Sequence, residues 1–153
     1  MTHDTTHKSH VPKGDYEVFE ETRWSSKDQQ LVFRHRAAYS LWQKTGGDSF
    51  LDIGCGDGVF EKFVKEKHPK SVCSGIDLSE IAIQTAKSNV PDVEFQVRDV
   101  LKEGIPYADN TFDAVIALDV LEHVFQPHIL LQEIKRVTKK YAIIGVPNFS
   151  SFP

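Results

Sequence analysis

Short apolar segments alternate with segments of helical period along most of this chain, and this alternation restricts the fold more than any other feature. The predicted β-strands are residues 49–53, 71–77, 93–97, 112–118 and 141–146. The fourth is a continuous apolar run, which is typical of a central parallel strand covered on both faces. Strands that alternate with helices run parallel and are joined by right-handed crossovers. The sequence therefore predicts an α/β fold with a doubly wound, mainly parallel sheet.

Characteristic residues also mark the helices between these strands. Ser79 is a predicted N-cap for the helix after the second strand, and Pro127 suits the first turn of the last helix. The inner face of the helix before the second strand is predicted to comprise Phe60, Phe63 and Val64. The buried stripe of the last helix is predicted to comprise Leu130, Ile134 and Val137.

The chain is predicted to form one domain behind a polar segment. Its 153 residues fit a single domain. Residues 1–28 are predicted to be a flexible N-terminal segment, and residues 29–153 hold the domain, which opens with a helix over 29–44. Four residues of the polar segment could bind a metal ion: His3, Asp4, His7 and His10. A frayed tail is the plainer interpretation, so we expect no metal site.

Composition argues against two classes of partner. Hydrophobic residues make up 40% of the chain, enough for a real core, and the net charge of −4 offers no basic surface for nucleic acid. The longest apolar runs are far shorter than the roughly 20 residues that span a bilayer, so we expect no membrane span. No secretory signal is recognised at the start of the chain.

The two cysteines, Cys55 and Cys73, are predicted to stay reduced. Along neighbouring strands they would be offset by roughly 13 Å, which is too far for a disulfide. Two reduced thiols favour a cytoplasmic protein.

A glycine loop, Gly54-Cys55-Gly56-Asp57-Gly58, joins the first predicted strand to a helix. Such a turn lets the backbone approach a ligand and presents amide groups at a helix N-terminus. Nucleotide, flavin and adenosylmethionine sites all use it. The dinucleotide fingerprint needs a third glycine where Val59 stands, so a dehydrogenase is the weakest alternative, and without a following Gly-Lys-Ser/Thr the P-loop interpretation fails.

Acidic residues around this loop favour a cationic ligand. Asp52 precedes the first glycine by two residues, and Asp57 lies inside the loop. A pyrophosphate beside them would cost about 1–4 kcal/mol per close charge pair. S-adenosylmethionine carries an ammonium and a sulfonium and no phosphate, so these acids suit it.

Two further acids end the second and third predicted strands. Asp77 follows Gly56 by 21 residues, where an acid can accept both ribose hydroxyls of an adenosine ligand. Asp99 is placed to accept from the adenine amino group, with Val100 against the ring. The alternative for Asp77 is a solvated acid near a helix N-terminus, and Asp99 likewise has the alternative of no ligand role.

These motifs together resemble a known family. The run LDIGCGDG resembles motif I of class I methyltransferases, and SGIDLS resembles their second motif. Residues 105–139 are similar to the UbiE/UbiG-type, methyltransferase domain 11-like branch, with Leu121-Glu122-His123 and Arg136-Val137 in its order and spacing. The resemblance covers residues 48–149.

The resemblance implies an S-adenosylmethionine-dependent methyltransferase acting on a small-molecule acceptor. The residues that would hold the cofactor are Asp52, Gly54, Cys55, Gly56, Asp77, Leu78, Asp99, Val100, Ala117 and Leu118. The methionine moiety would be lined by Asp52, Gly54, Cys55 and Gly56. The ribose and the edge of the adenine would be held by Asp77 and Leu78. The adenine would be recognised by Asp99 and Val100, and the pocket would be closed by backbone contact with Ala117 and Leu118.

One departure from that branch leads to an alternative function. Residues 137–141 replace a usual Pro-Gly-Gly turn, and residues 146–149 resemble the ending of MetW-type proteins associated with methionine biosynthesis. Those proteins are thought to support an acyltransferase partner. The alternative is therefore a non-catalytic S-adenosylmethionine-binding module that supports a partner enzyme.

Methyl transfer from a sulfonium depends chiefly on proximity and orientation, and a base is needed only if the acceptor must lose a proton. His123 is the candidate base because imidazole titrates near neutral pH, although a helix-cap or packing role is the alternative. Glu122 could orient it. Further acceptor contacts could come from Asn148, Arg34, His35 and Arg36, although a solvated helix face is the alternative for the last three.

The family sheet has seven strands in the order 3-2-1-4-5-7-6, and this chain supplies five. We therefore expect a chain that is truncated before the C-terminal hairpin strands. The strand at 141–146 would otherwise expose an apolar edge. A homodimer, a partner or the N-terminal segment is the alternative cover for it.

Overall fold

The computed structural model describes residues 33–147 and has the predicted alternation of strands and helices. The strands are β1 (Ser49–Ile53), β2 (Val72–Asp77), β3 (Glu94–Val97), β4 (Phe112–Leu118) and β5 (Thr138–Gly145). The helices are α1 (Phe33–Lys44), α2 (Val59–Lys67), α3 (Glu80–Asn89), α4 (Val100–Glu103) and α5 (Pro127–Val137), and a 3-10 turn covers Leu121–His123. The predicted segment at 1–28 and Asn148 lie outside the described residues.

The sheet is parallel throughout, in the order β3-β2-β1-β4-β5. The predicted α/β doubly wound fold is therefore confirmed. The strand order reverses between β1 and β4, and ligands of such sheets bind at the carboxyl ends of the strands beside this reversal. The glycine loop begins there.

Helices cover both faces of the sheet. Phe50 and Leu51 of β1 are both fully buried, and they enter the clusters on opposite faces because neighbouring strand residues point to opposite sides. One cluster holds α1, α2 and α3, and the other holds α5. The predicted stripe of α5 is confirmed, since Leu130, Ile134 and Val137 are all buried.

Both predicted helix starts are also confirmed. The Ser79 hydroxyl accepts from the Ala82 amide at 3.1 Å as the N-cap of α3, and Pro127 is the first residue of α5. Both cysteines are buried and free. Among residues 33–147 no helix is long and apolar enough to cross a bilayer, and no cluster of three metal-ligating side chains occurs in that range.

The inner face of α2 differs from the prediction. Phe60 and Val64 are buried as predicted, but Phe63 is only half-buried. Glu61 takes the remaining inward position and is fully buried. An acid therefore lies inside the core directly after the glycine loop.

The strand β5 begins three residues earlier than predicted. Thr138 follows Val137 of α5 with no intervening turn, and its hydroxyl donates to the Ile134 carbonyl at 2.5 Å. Within the described range β5 pairs only with β4. The strand β5 is therefore the open edge that the sequence predicts, and its apolar residues Tyr141 and Ile144 are 51% and 40% exposed.

Candidate functional site

The glycine loop is held in shape by its own backbone and by the end of β2. Gly54, Gly56 and Gly58 have φ angles of 76°, 56° and 75°, in the left-handed region that side chains disfavour. The amides of Gly54 and Cys55 donate to the Ile76 carbonyl at 2.8 and 3.2 Å. The loop therefore lies across the carboxyl end of β2.

The chain after β4 also approaches this loop. A Cβ on Gly54 would lie 2.6 Å from Cγ2 of Val120, so a side chain at this position would clash. Ala117 is fully buried and Leu118 is half-buried at the end of β4. The structure thus brings together the ends of β1, β2 and β4, where eight of the ten predicted cofactor residues lie.

Asp77 joins β2 to the loop through both of its carboxylate oxygens. Oδ2 accepts from the Gly56 amide at 2.9 Å, and Oδ1 accepts from the Ser79 amide at 2.9 Å. Asp77, the residue predicted to bind the ribose, is therefore in direct contact with the loop that is predicted to hold the methionine moiety. Leu78 beside it is 57% exposed. The ligand roles of both residues stay predictions.

Four carboxyl groups surround the loop. Asp52, Asp57 and Glu61 are buried, and Asp77 is half-buried. Burial, followed by the neighbouring charge of Asp77, raises the pKa of Asp52 to about 8. These carboxyl groups would repel a phosphate and attract a cation in their ionised forms, so the site suits a ligand that carries positive charge.

Glu61 is the residue of this cluster that the prediction missed. Among residues 33–147, no side-chain N–H group or alcohol hydroxyl donates to either of its carboxyl oxygens. Burial, followed by the charge of Asp52, raises the pKa of Glu61 well above its usual range. The signal in the sequence was an acid flanked at helical spacing by Phe60 and Val64.

Asp99 begins a helix that the sequence did not predict. Its Oδ1 accepts from the amides of Leu101 and Lys102 at 3.2 and 3.3 Å, which caps the four-residue α4. Its Oδ2 pairs with Lys102 Nζ at 2.7 Å. The carboxylate is thus bonded to α4, while the adenine contact of Asp99 and Val100 stays a prediction.

His123 lies in the 3-10 turn and is largely exposed. Its side chain is 76% exposed, and Nε2 lies 4.0 Å from Glu122 Oε1, too far for a hydrogen bond. Within residues 33–147, the contact given for this imidazole is with Glu122 and not with a buried group of the candidate site. Its role as a base stays a prediction.

Helix α1 crosses the carboxyl end of β4. Arg34 Nε pairs with Asp119 Oδ2 at 2.8 Å, and Asp119 itself adopts a left-handed φ of 54°. The ring of His35 lies 6.0 Å from that of Phe60, and burial lowers the pKa of His35 to about 4. Arg36 is exposed. Arg34 and His35 thus lie beside the candidate site, with His35 neutral at pH 7.

The buried carboxyl of Asp52 predicts a pH dependence of stability. Its pKa is about 8 in the folded protein against 3.8 for the free side chain, so the folded state keeps a proton that the unfolded chain has lost. The lowered pKa of His35 opposes this effect below pH 6.5, where the unfolded chain binds the additional proton. We therefore expect the free energy of unfolding to fall between pH 6.5 and 8, by about 1.4 kcal/mol per pH unit for one proton.

Urea denaturation at several pH values across that interval measures this slope. The variant Asp52→Asn keeps the side-chain volume and removes the titrating group, so its slope should be much smaller. A wild-type protein whose free energy of unfolding stays constant or rises across the interval would contradict the assignment.

Comparison with known proteins agrees with this site. The methyltransferase domain family matches residues 51–145. The ubiquinone biosynthesis O-methyltransferase of Glaesserella parasuis serovar 5 is 31% identical over 144 residues, covering 88% of this chain and 56% of that protein. The (S)-coclaurine N-methyltransferase of Thalictrum flavum subsp. glaucum is 29% identical over 105 residues, covering 65% of this chain and 28% of that protein. The chain thus spans about half or less of the length of these relatives.

Solved structures have the same fold. A protein from Pyrococcus horikoshii OT3 has a TM-score of 0.71 at 25% identity, covering 92% of this chain and 65% of that one. The plantazolicin methyltransferase BpumL in complex with SAH has a TM-score of 0.66 at 20% identity, covering 86% of this chain and 52% of that one. The chain belongs to the class I S-adenosylmethionine-dependent methyltransferase family.

Proposed function

We propose that this domain binds S-adenosylmethionine at the carboxyl ends of β1, β2 and β4 and transfers its methyl group to a small-molecule acceptor. The observation that carries the proposal is the hydrogen bond from the Gly56 amide to Asp77 at 2.9 Å. It places the carboxylate that is predicted to accept the ribose hydroxyls against the glycine loop. The buried Asp52 beneath that loop favours a cationic ligand. The first feature suits any adenosine ligand, and the second favours S-adenosylmethionine over a dinucleotide.

In this proposal the cofactor supplies a methyl group that is already activated on a sulfonium. The residues of the chain bind and orient it: the loop at 52–56 holds the methionine moiety, Asp77 and Leu78 the ribose, and Asp99 and Val100 the adenine. Backbone contact at Ala117 and Leu118 closes the pocket. Alignment of donor and acceptor is then the main contribution of the protein to the rate.

The names of the relatives support a small-molecule acceptor, since they describe methyltransferases of ubiquinone biosynthesis and of coclaurine. His123 is the proposed base where the acceptor must lose a proton. A MetW-type supporting module would use the same cofactor site without methyl transfer. No contact in residues 33–147 favours that alternative.

We also propose a cytoplasmic location, in keeping with two free thiols. The open edge of β5 is proposed to be covered in the functional protein by a homodimer contact or by a partner. The net charge of −4 favours neither nucleic acid nor an anionic surface as that partner.

Titration calorimetry with S-adenosylhomocysteine and with NAD tests the cofactor. We expect S-adenosylhomocysteine to bind and NAD to give no heat of binding, because NAD would bring its pyrophosphate against four carboxyl groups. Binding of NAD alone would overturn the proposal. A methyl-transfer assay with candidate acceptors then separates the enzyme from the supporting module.

A further inference from the structure

We propose that Glu61 is a positioning residue for the cofactor: it shares a proton with Asp52, and a cationic ligand displaces that proton and leaves negative charge beneath the glycine loop. The inference rests on the proposed function, because it assigns to Glu61 a role in the same site. Glu61 acts through Asp52, since it is itself fully buried.

The fold places the two carboxyl groups together. Asp52 is directly opposite Gly75 in the register of β1 and β2. A Cβ on Gly75 would lie 2.8 Å from Cys55 Sγ, so the glycine loop passes directly over this part of the sheet. Asp52 therefore lies beneath the loop.

Helix α2 brings Glu61 to the same face. Phe50 is two residues before Asp52 and thus on the same side of β1. Its ring packs 5.5 Å from that of Phe60, in the first turn of α2. Glu61 follows Phe60 and enters the layer between α2 and the sheet.

A shared proton explains how two buried acids coexist here. Apart from its own amide, the Glu61 carboxyl has a hydrogen-bond partner among the described residues only in the Asp52 carboxyl. Ionised carboxylates are acceptors only, so two of them can hydrogen-bond only through a proton held by one. Burial is the largest cause of the raised pKa of both groups. Without a ligand the pair therefore holds at least one proton near neutral pH.

Within residues 33–147, the surrounding groups supply no compensating cation for Glu61. The titratable groups around the pair are Asp57, Asp77, Cys55, Cys73, Lys65 and His35. The charges that act on Glu61 are those of Asp52 and Asp57, both negative, whereas Lys65 acts on Cys73. His35, which packs against Phe60, has its pKa lowered to about 4 and is neutral. Positive charge must therefore come from the ligand.

The consequence is a proton released to solvent when a ligand with a cationic amino-acid end binds. For one proton, affinity should rise about tenfold for each pH unit. The pair thus distinguishes a charged nucleoside–amino acid conjugate from a neutral nucleoside. Glu61 contributes by holding the shared proton against Asp52 until such a ligand is present.

Calorimetry of the full chain with S-adenosylhomocysteine tests this, at pH 6 and pH 7 in buffers of different ionisation enthalpy. At these values the ligand's α-amino group, with a pKa of about 7.7–8.0, stays protonated. We expect release of about one proton and an affinity about tenfold weaker at pH 6 than at pH 7. Methylthioadenosine, which lacks the amino-acid charges, should bind with no proton released and no change in affinity.

The variant Glu61→Gln provides the discriminating readout. Its amide can donate permanently to Asp52 and keep that carboxylate ionised, so binding should release no proton and the affinity should be equal at both pH values. At pH 6 the variant should therefore bind more tightly than the wild type, which a merely structural role would not produce. Glu66→Gln, the same change on the exposed face of α2, should behave as the wild type does.

Binding of S-adenosylhomocysteine to the wild type without proton release would overturn the inference and leave the proposed function intact. Equal proton release by the wild type and by Glu61→Gln would also overturn it. If the wild type binds neither ligand, the proposed function fails and the inference fails with it. Should Glu61→Gln not fold, the comparison of the two ligands on the wild type still decides.

Discussion

Replacing Asp77 with alanine is expected to weaken binding of S-adenosylhomocysteine by about 1–3 kcal/mol, or roughly 5- to 150-fold. The substitution removes the acid proposed to accept the ribose hydroxyls. It also removes the 2.9 Å bond that holds the Gly56 amide at the end of β2. Both losses act on the same ligand, and calorimetric titration measures their sum.

A matched variant separates the two effects. Asp77→Asn keeps the shape of the side chain and one acceptor oxygen, but it places an N–H₂ group against one of two backbone amides. An intermediate loss of affinity is expected. Denaturation of each variant should accompany the titration, because the bond to Ser79 also supports the start of α3. An affinity for Asp77→Ala equal to that of the wild type would remove Asp77 from the site.

Replacing Arg136 with alanine is expected to lower the free energy of unfolding by about 2–3 kcal/mol. The guanidinium donates to the carbonyls of Ile105 and Tyr107 at 2.8 and 2.7 Å, and to both oxygens of Glu133. These bonds attach the segment before β4 to α5. The hydrogen bond from Arg136 is the largest cause of the lowered pKa of Glu133, about 2. The loss comes chiefly from the unpaired carbonyls, because the charges themselves are partly exposed.

Arg136→Lys is the control for this prediction. Lysine keeps the charge but lacks the planar fork that reaches two carbonyls and a carboxylate together, so less than half of the loss should be recovered. Chemical denaturation of the three proteins measures the differences. A loss for Arg136→Ala within about 0.5 kcal/mol, as for an ordinary surface substitution, would show that the network does not stabilise the fold.

The sequence predicted the central strands well because their apolar character is continuous. The bounds of β1 and β4 agree with the prediction, and β2 starts one residue later. The start of β5 was predicted three residues late. Its first residues, Thr138, Lys139 and Lys140, include two charged side chains at an edge, where burial does not impose an apolar pattern.

The site was predicted in outline because its parts are local motifs. The spacing from Gly56 to Asp77 placed both residues in one cofactor site, and the structure brings them into direct contact. Glu61 was missed because an acid in an amphipathic helix is normally assigned to the solvent side. The cap that Asp99 gives to α4 was missed for a different reason, since a four-residue helix has too few residues to show a period.

The join of α5 to β5 contains no loop residue, and β5 shifts its register against β4 directly after it, between Thr138 and Tyr141. A residue inserted there would shift β5 by one position and exchange its two faces, bringing Ile144 inward in place of Ile143. The fold could keep Ile143 inward after such an insertion only if the register shift between Thr138 and Tyr141 absorbed the additional residue. Changes in length at the exposed residues 108–110 would disturb the same junction, because the Asn110 amide donates to the Arg136 carbonyl at 2.8 Å and Asp109 pairs with the Arg136 guanidinium at 3.1 Å.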